Sequence, residues 1–135
     1  MKPCVCRVLL GVALLVAGAE HVLAASAGSW AGTAPPLAVA SADRHACSQP
    51  LQPPPLAAGG QLAGVRWRFQ VPPGAHVQAR LCHPQRCVEL PAAQGESRAL
   101  SGLDAGQPLQ LCFRLQPGEA PQRVGGSQLL VDYRP

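Results

Sequence analysis

Alternation of apolar and polar residues dominates the second half of the chain. The pattern runs through residues 65–71, 77–81, 109–115 and 129–133, and a shorter apolar segment covers 87–90. A period of two places one face of a β-strand in a core and the other in solvent. The sequence therefore predicts five strands, whose inward positions include Trp67, Phe69, Leu81 and Phe113.

Turn residues separate these segments. Pro72-Pro73-Gly74 and Pro117-Gly118 each follow a predicted strand, and Gly and Pro interrupt every longer stretch, so no segment after the N-terminal region predicts a helix. Short strands at this spacing are typical of a sandwich or a barrel. Aromatic residues make up only 4% of the chain, which favours a small antiparallel β-sandwich over a barrel that large side chains would have to fill.

A Pro-, Ala- and Ser-rich segment precedes the strands. Residues 33–60 contain Pro53-Pro54-Pro55 and little periodicity, which predicts an extended surface connection. Leu37 to Ala40 is a candidate short strand within it.

The N-terminal 27 residues have the composition of a secretory signal peptide. A short positive region precedes the apolar run Val8–Ala19, and small residues then allow cleavage after Ala24 or Ala27. The apolar run is shorter than the roughly 20 residues that span a bilayer, and polar residues at 20–21 argue against the alternative of an uncleaved anchor. We expect an exported protein without stable membrane insertion, whose single domain covers residues 28–135.

Four cysteines remain after the signal peptide: Cys47, Cys82, Cys87 and Cys112. An even number in a small exported domain indicates disulfides. A hairpin with 83–86 as its loop would place Cys82 opposite Cys87 on the outer face, where cross-strand Cβ atoms lie about 4.5–5.5 Å apart. Cys47 and Cys112 are a possible second pair, which would pin the Pro-rich connection to the outer face.

A zinc site is the alternative use of these residues. The spacing does not favour it, because structural zinc sites usually take ligands in pairs two to four residues apart, and the C-x-x-C motif of thioredoxin-like redox sites is absent. We predict neither a metal nor a cofactor. The residues from which a zinc site could draw its four ligands are His45, Cys47, Cys82, His83, Cys87 and Cys112.

Charge and motifs argue for a binding protein rather than an enzyme. Residues 28–135 hold nine Arg and six acidic residues, a net charge of +3, and the scattered Arg do not form the dense patch that nucleic acid requires. No serine has nucleophile-elbow context, and no acidic pair is placed for acid–base chemistry. The remaining candidate is an outer stripe of Arg66, Arg68, Arg80 and Arg114, for which a merely solubilising face is the alternative.

Several segments together resemble the FlhE family of flagellar proteins. They are Gly28-Ser29-Trp30, Val65–Gln70, the cysteine hairpin Arg80–Leu90 and Val131–Arg134, which follow the family's order and spacing. The resemblance implies a periplasmic, all-β accessory protein of the flagellum. It further implies either chaperone-like binding of hook or rod subunits, which prevents periplasmic flagella, or limitation of proton leak through the export apparatus.

The resemblance does not identify functional residues, so we infer the binding surface from the strand pattern. An exposed edge strand can pair with an extended segment through backbone hydrogen bonds. The terminal strand is our candidate for that edge, which adds Leu129, Val131 and Tyr133 to the Arg stripe. A periplasmic enzyme inhibitor or a carbohydrate-binding module is the alternative function that a disulfide-bonded sandwich of this kind allows.

Overall fold

The computed structural model describes residues 26–135, which form ten strands and one 3₁₀ turn at Pro55–Ala57. The predicted signal peptide, apart from its last two residues, lies outside the described residues. The strands are β1 (Gly28–Ala34), β2 (Leu37–Val39), β3 (Ala46–Cys47), β4 (Gln61–Arg68), β5 (Val77–His83), β6 (Arg86–Leu90), β7 (Gln94–Ser97), β8 (Gln110–Leu115), β9 (Gln122–Val124) and β10 (Ser127–Arg134).

The strands form an antiparallel β-sandwich, as predicted. The first sheet has the order β1-β10-β4-β7, the second sheet has the order β3-β8-β5-β6, and β2 pairs with β9 as a two-stranded sheet. Consecutive strands β4 and β5 belong to different sheets, so the chain crosses the sandwich at the Pro72–Gly74 turn. That turn closes with a hydrogen bond from the Ala75 N–H to the Pro72 carbonyl, and Gly74 adopts a φ of 78° that only glycine takes readily.

The core lies between the inner faces of the two sheets. The first sheet contributes Trp67, Leu129 and Val131, and the second contributes Leu81 and Leu111, all at most 5% exposed. Phe69 and Phe113 meet across the core edge to face, with ring centroids 5.1 Å apart. Such a contact adds roughly 0.5–1.5 kcal/mol to the burial of the two rings.

Strand β4 carries a bulge that the alternating pattern does not show. Asp132 pairs with Gly64 and Tyr133 pairs with Leu62, so Ala63 is the extra residue. A bulge turns the following side chain to the same face, and both Leu62 and Val65 are consequently buried.

The Pro-rich connection holds more regular structure than predicted. The short strand expected at Leu37 is present as β2, but β1 and β3 were not predicted, and Leu51 pairs with Leu109 as an isolated bridge. Strand β1 reads GSWAGTA, which has few large apolar residues, and it forms because β10 offers it an unbroken seven-residue register. Strands β7 and β9 were also not predicted, because each is short and forms only through pairing with its partner strand.

Candidate functional site

The terminal strand β10 is not an edge, so the predicted docking edge is wrong. It lies between β1 and β4 in the first sheet, and both sides of its backbone are hydrogen-bonded. Leu129, Val131 and Tyr133 are 1%, 0% and 6% exposed. Their side chains face the second sheet and belong to the core, and the unpredicted strand β1 takes the position at the end of the first sheet.

The predicted Arg stripe is also divided. Arg66 and Arg68 lie on β4 and point outward from the first sheet, whereas Arg80 on β5 and Arg114 on β8 lie on the outer face of the second sheet. The period of two correctly predicts an outward side chain in each strand, but it does not say to which sheet a strand belongs. The molecule therefore has two cationic pairs on opposite faces.

The outer face of the first sheet contains a shallow groove. Two rows of cross-strand neighbours run across it, Ala31–Leu130–Arg66 and Thr33–Gln128–Arg68. The short side chains of β1 leave Leu130 partly exposed at its floor, and the groove has a volume of about 540 Å³. Both Arg residues line this groove, so it combines an apolar floor with positive charge.

The edge beside this groove is strand β1. Its sequence contains no charged residue and no proline, and its register with β10 has no bulge. Trp30 of β1 packs against the margin of the core. Its indole ring lies above Gly32, so a Cβ atom on residue 32 would be only 2.9 Å from the ring. Within residues 26–135, the buried indole N–H of Trp30 has no hydrogen-bond acceptor.

The outer face of the second sheet carries both disulfides. The register aligns Cys47 with Cys112 and Cys82 with Cys87, and both pairs are bonded. Both predicted pairings are thus present in the structure. Cys112 points away from the core, as parity predicted, but the bond and the connection that carries Cys47 leave it only 3% exposed.

Three basic side chains stand close together on this second face. Partial burial lowers the pKa of His45, and the guanidinium groups of Arg80 and Arg114 lower it further, whereas Glu89 acts in the opposite direction. Arg114 donates a hydrogen bond from Nε to the side-chain oxygen of Gln78. Arg80 lies between Cys112 and Glu89 in the cross-strand register.

His83 is buried at the end of β5, whereas the sequence predicted it in the hairpin loop 83–86. Its Nδ1 accepts the N–H of Gln85 at 3.1 Å, and its Nε2 lies 2.9 Å from the carbonyl oxygen of Asp104. A nitrogen that accepts a backbone N–H carries no proton, so Nε2 must be the donor to Asp104. Extending the alternation of Ala79 and Leu81 by one step would have placed His83 inward.

The residues of the hypothetical zinc site do not come together as ligands. All four of its cysteines are in disulfides, and His83 bonds to backbone groups. In the described part of the chain no three His, Cys, Asp or Glu residues cluster as a metal site would need.

No helix among residues 26–135 is long and apolar enough to cross a membrane.

Comparison with known proteins shows one family over most of the chain. The family described as "Flagellar protein FlhE" matches residues 37–134. The chain is 31% identical to the flagellar protein FlhE of Escherichia coli (strain K12) over 84% of this chain and 90% of that protein. It is 31% identical to the flagellar protein FlhE of Yersinia enterocolitica over 95% of each. A crystal structure of FlhE superposes with a TM-score of 0.71 at 27% identity, which covers 82% of this chain and 100% of that one.

Proposed function

The chain belongs to the FlhE family of flagellar proteins, and on that premise we propose that it is a chaperone-like accessory protein of the periplasm. In this role it binds hook or rod subunits and keeps them from assembling into flagella inside the periplasm. The observation that carries the proposal is the family match over 37–134, which spans nearly all of the sandwich.

A periplasmic location agrees with the cysteine chemistry. Two disulfides occur in a domain of modest size, and disulfides persist in oxidising compartments such as the bacterial periplasm. The sequence of residues 1–27 supplies the matching export signal. In this compartment we expect the protein to meet rod and hook subunits before they assemble.

Binding rather than catalysis is the action that we propose. Among the described residues, the one contact within 4 Å between a basic and an acidic side chain is that of His76 with Glu119 at 3.8 Å, and no three His, Cys, Asp or Glu residues cluster. A sandwich of this kind can instead offer a sheet edge and a face to an extended segment. We propose neither nucleic acid nor membrane lipid as a partner, because the Arg residues are divided between two faces.

The direct test is binding of the purified exported protein to purified hook and rod subunits. We expect association with at least one of them, and a deletion strain is expected to form flagella in the periplasm while its hydrolytic activities stay unchanged. Normal assembly in the deletion strain, together with no detectable association, would remove the support for this function. A proton leak with normal assembly would instead favour action on the export apparatus.

A further inference from the structure

We propose that the free edge of β1 is the docking strand, and that an extended subunit segment pairs with it whose groove-facing residues, two apart in sequence, are apolar and acidic. This inference rests on the proposed function and assigns that function to one edge of the molecule. Such a segment would continue the first sheet beyond β1 and lay one row of its side chains over the neighbouring groove.

The backbone of β1 is available on one side. Its partner within the sheet is β10 alone, and among residues 26–135 no loop backbone and no side chain hydrogen-bonds to residues 28–34. An edge strand of this kind presents a row of unpaired N–H and C=O groups. Seven residues are enough for an added strand to form several backbone hydrogen bonds.

Among the four edges of the two four-stranded sheets in the described chain, only β1 lacks protection. Strand β3 has two residues, β7 has four and carries Glu96, and β6 carries Arg86 and Glu89. Charged side chains and short length are the usual devices that prevent pairing at an edge. Strand β1 is long, uncharged, free of proline and regular in register.

The groove next to β1 specifies the chemistry of the partner. Side chains that an added strand directs to this face stand beside Ala31 and Thr33, which are too short to block access to Leu130. An apolar side chain fits that floor. Acidic side chains complement Arg66 and Arg68, of which Arg66 stands opposite Glu96 of β7 and Arg68 stands opposite the uncharged Gln94.

The indole N–H of Trp30 is a second, independent indication. It is buried on the side of β1 that faces the core and has no acceptor among the described residues. Buried polar groups are rarely left without a hydrogen bond, because the lost hydration is not replaced. Trp30 lies on the edge strand itself, so the core-facing side chains of an added strand would stand beside its indole.

The experiment compares two substitutions that place one negative charge in the same cross-strand row. Thr33 and Gln94 lie at opposite ends of the row Thr33–Gln128–Arg68–Gln94, both are exposed, and only Thr33 is on β1. Thr33→Glu puts a repelling carboxylate on the docking edge, whereas Gln94→Glu puts it on the edge formed by β7. Arg68→Gln tests the charge of the groove, with Arg123→Gln on the small sheet as its control.

Binding of the full exported protein to purified hook and rod subunits is measured by calorimetry, after urea unfolding has shown that each variant is folded. We expect Thr33→Glu to weaken binding about tenfold or more, whereas Gln94→Glu, which stands beside Arg68 in the register, should weaken it no more than Arg68→Gln does. Arg68→Gln is expected to weaken binding and reduce its dependence on salt, whereas Arg123→Gln does neither.

Several outcomes overturn the proposal. Binding that survives Thr33→Glu, or that both Glu variants weaken equally, removes β1 as the docking edge and leaves subunit binding intact. Dimerisation of the protein that Thr33→Glu abolishes would show that a second copy occupies the edge. If the unsubstituted protein binds no subunit, the proposed function fails together with the partner named here.

Discussion

The Cα atoms of Cys47 and Cys112 lie 4.0 Å apart, although 65 residues separate them in the chain. Cys47 ends the two-residue strand β3, whose residues pair with Phe113 and Cys112 of β8. The bond therefore ties the long N-terminal connection to the second sheet. Cys82 and Cys87 are also bonded, but they are five residues apart within one hairpin.

The two disulfides should stabilise the protein unequally. In the chain-entropy account, the stabilisation grows with the length of the loop that the bond closes, which gives about 4 kcal/mol for Cys47–Cys112 and about 2 kcal/mol for Cys82–Cys87. We expect the paired change Cys47→Ala/Cys112→Ala to lower the free energy of unfolding by more than Cys82→Ala/Cys87→Ala does. Urea unfolding of both double variants measures the difference, and equal losses would contradict the prediction.

A second prediction concerns Gly95, which lies under the Trp67 ring. Trp67 donates its indole N–H to the carbonyl of Ala92 at 2.9 Å, so the ring cannot turn away freely, and a Cβ on Gly95 would lie 2.8 Å from it. Gly95→Ala should therefore destabilise the fold by about 1–3 kcal/mol. Gly64→Ala is the control, because a Cβ there meets no atom closer than 3.8 Å.

The loss of stability is measured by thermal unfolding, and the displacement of the Trp67 ring by near-ultraviolet circular dichroism, to which Trp67 contributes. We expect Gly95→Ala to change both signals and Gly64→Ala to change neither appreciably. A Gly95→Ala variant as stable as the unsubstituted protein would mean that β7 shifts at little cost.

A third prediction concerns His83, which is 3% exposed. His83→Ala removes its two hydrogen bonds, leaves the Asp104 carbonyl without this donor, and opens a cavity beside the β5–β6 hairpin. The free energy of unfolding should fall by about 2–3 kcal/mol. His76→Ala is the matched control, since that imidazole is 55% exposed and its ion pair with Glu119 is long; similar losses for the two variants would count against the buried role.

The fourth prediction is a titration. Burial, Arg80 and Arg114 all lower the pKa of His45 below 6.5, so the folded protein takes up this proton less readily than the unfolded chain does. The unfolded state then binds more protons as the pH falls through 6.5, and the contribution of His45 to stability decreases there as the solution becomes more acidic.

Nuclear magnetic resonance of the His45 ring measures that pKa directly. Arg80→Gln should raise the pKa of His45, because one of the two repelling charges is removed, and Arg66→Gln on the opposite sheet should leave it unchanged. A His45 pKa near 6.5 in the unsubstituted protein, or a His45 pKa that Arg80→Gln leaves unchanged, would contradict the close placement of Arg80 and Arg114 around His45.

Sequence alone determined what depends on local periodicity. Alternation identified the strands that build the core, the burial of Trp67, and the outward direction of Cys82 and Cys87. Local turn chemistry placed the Pro72–Gly74 and Pro117–Gly118 turns, where Gly74 and Gly118 have φ values of 78° and 86°. These features follow from a few neighbouring residues, so one sequence suffices to predict them.

Only the tertiary structure decided which strands are neighbours. The Arg residues on β4 and β8 both point outward, yet they lie on opposite faces, because pairing between strands is a long-range choice that local pattern does not encode. For the same reason the last strand proved central and the Gly-rich segment 28–34 proved to be the edge. Strand β1 has little pattern of its own and acquires its conformation from β10, so the edge that we propose for docking was hidden in the segment with the weakest sequence signal.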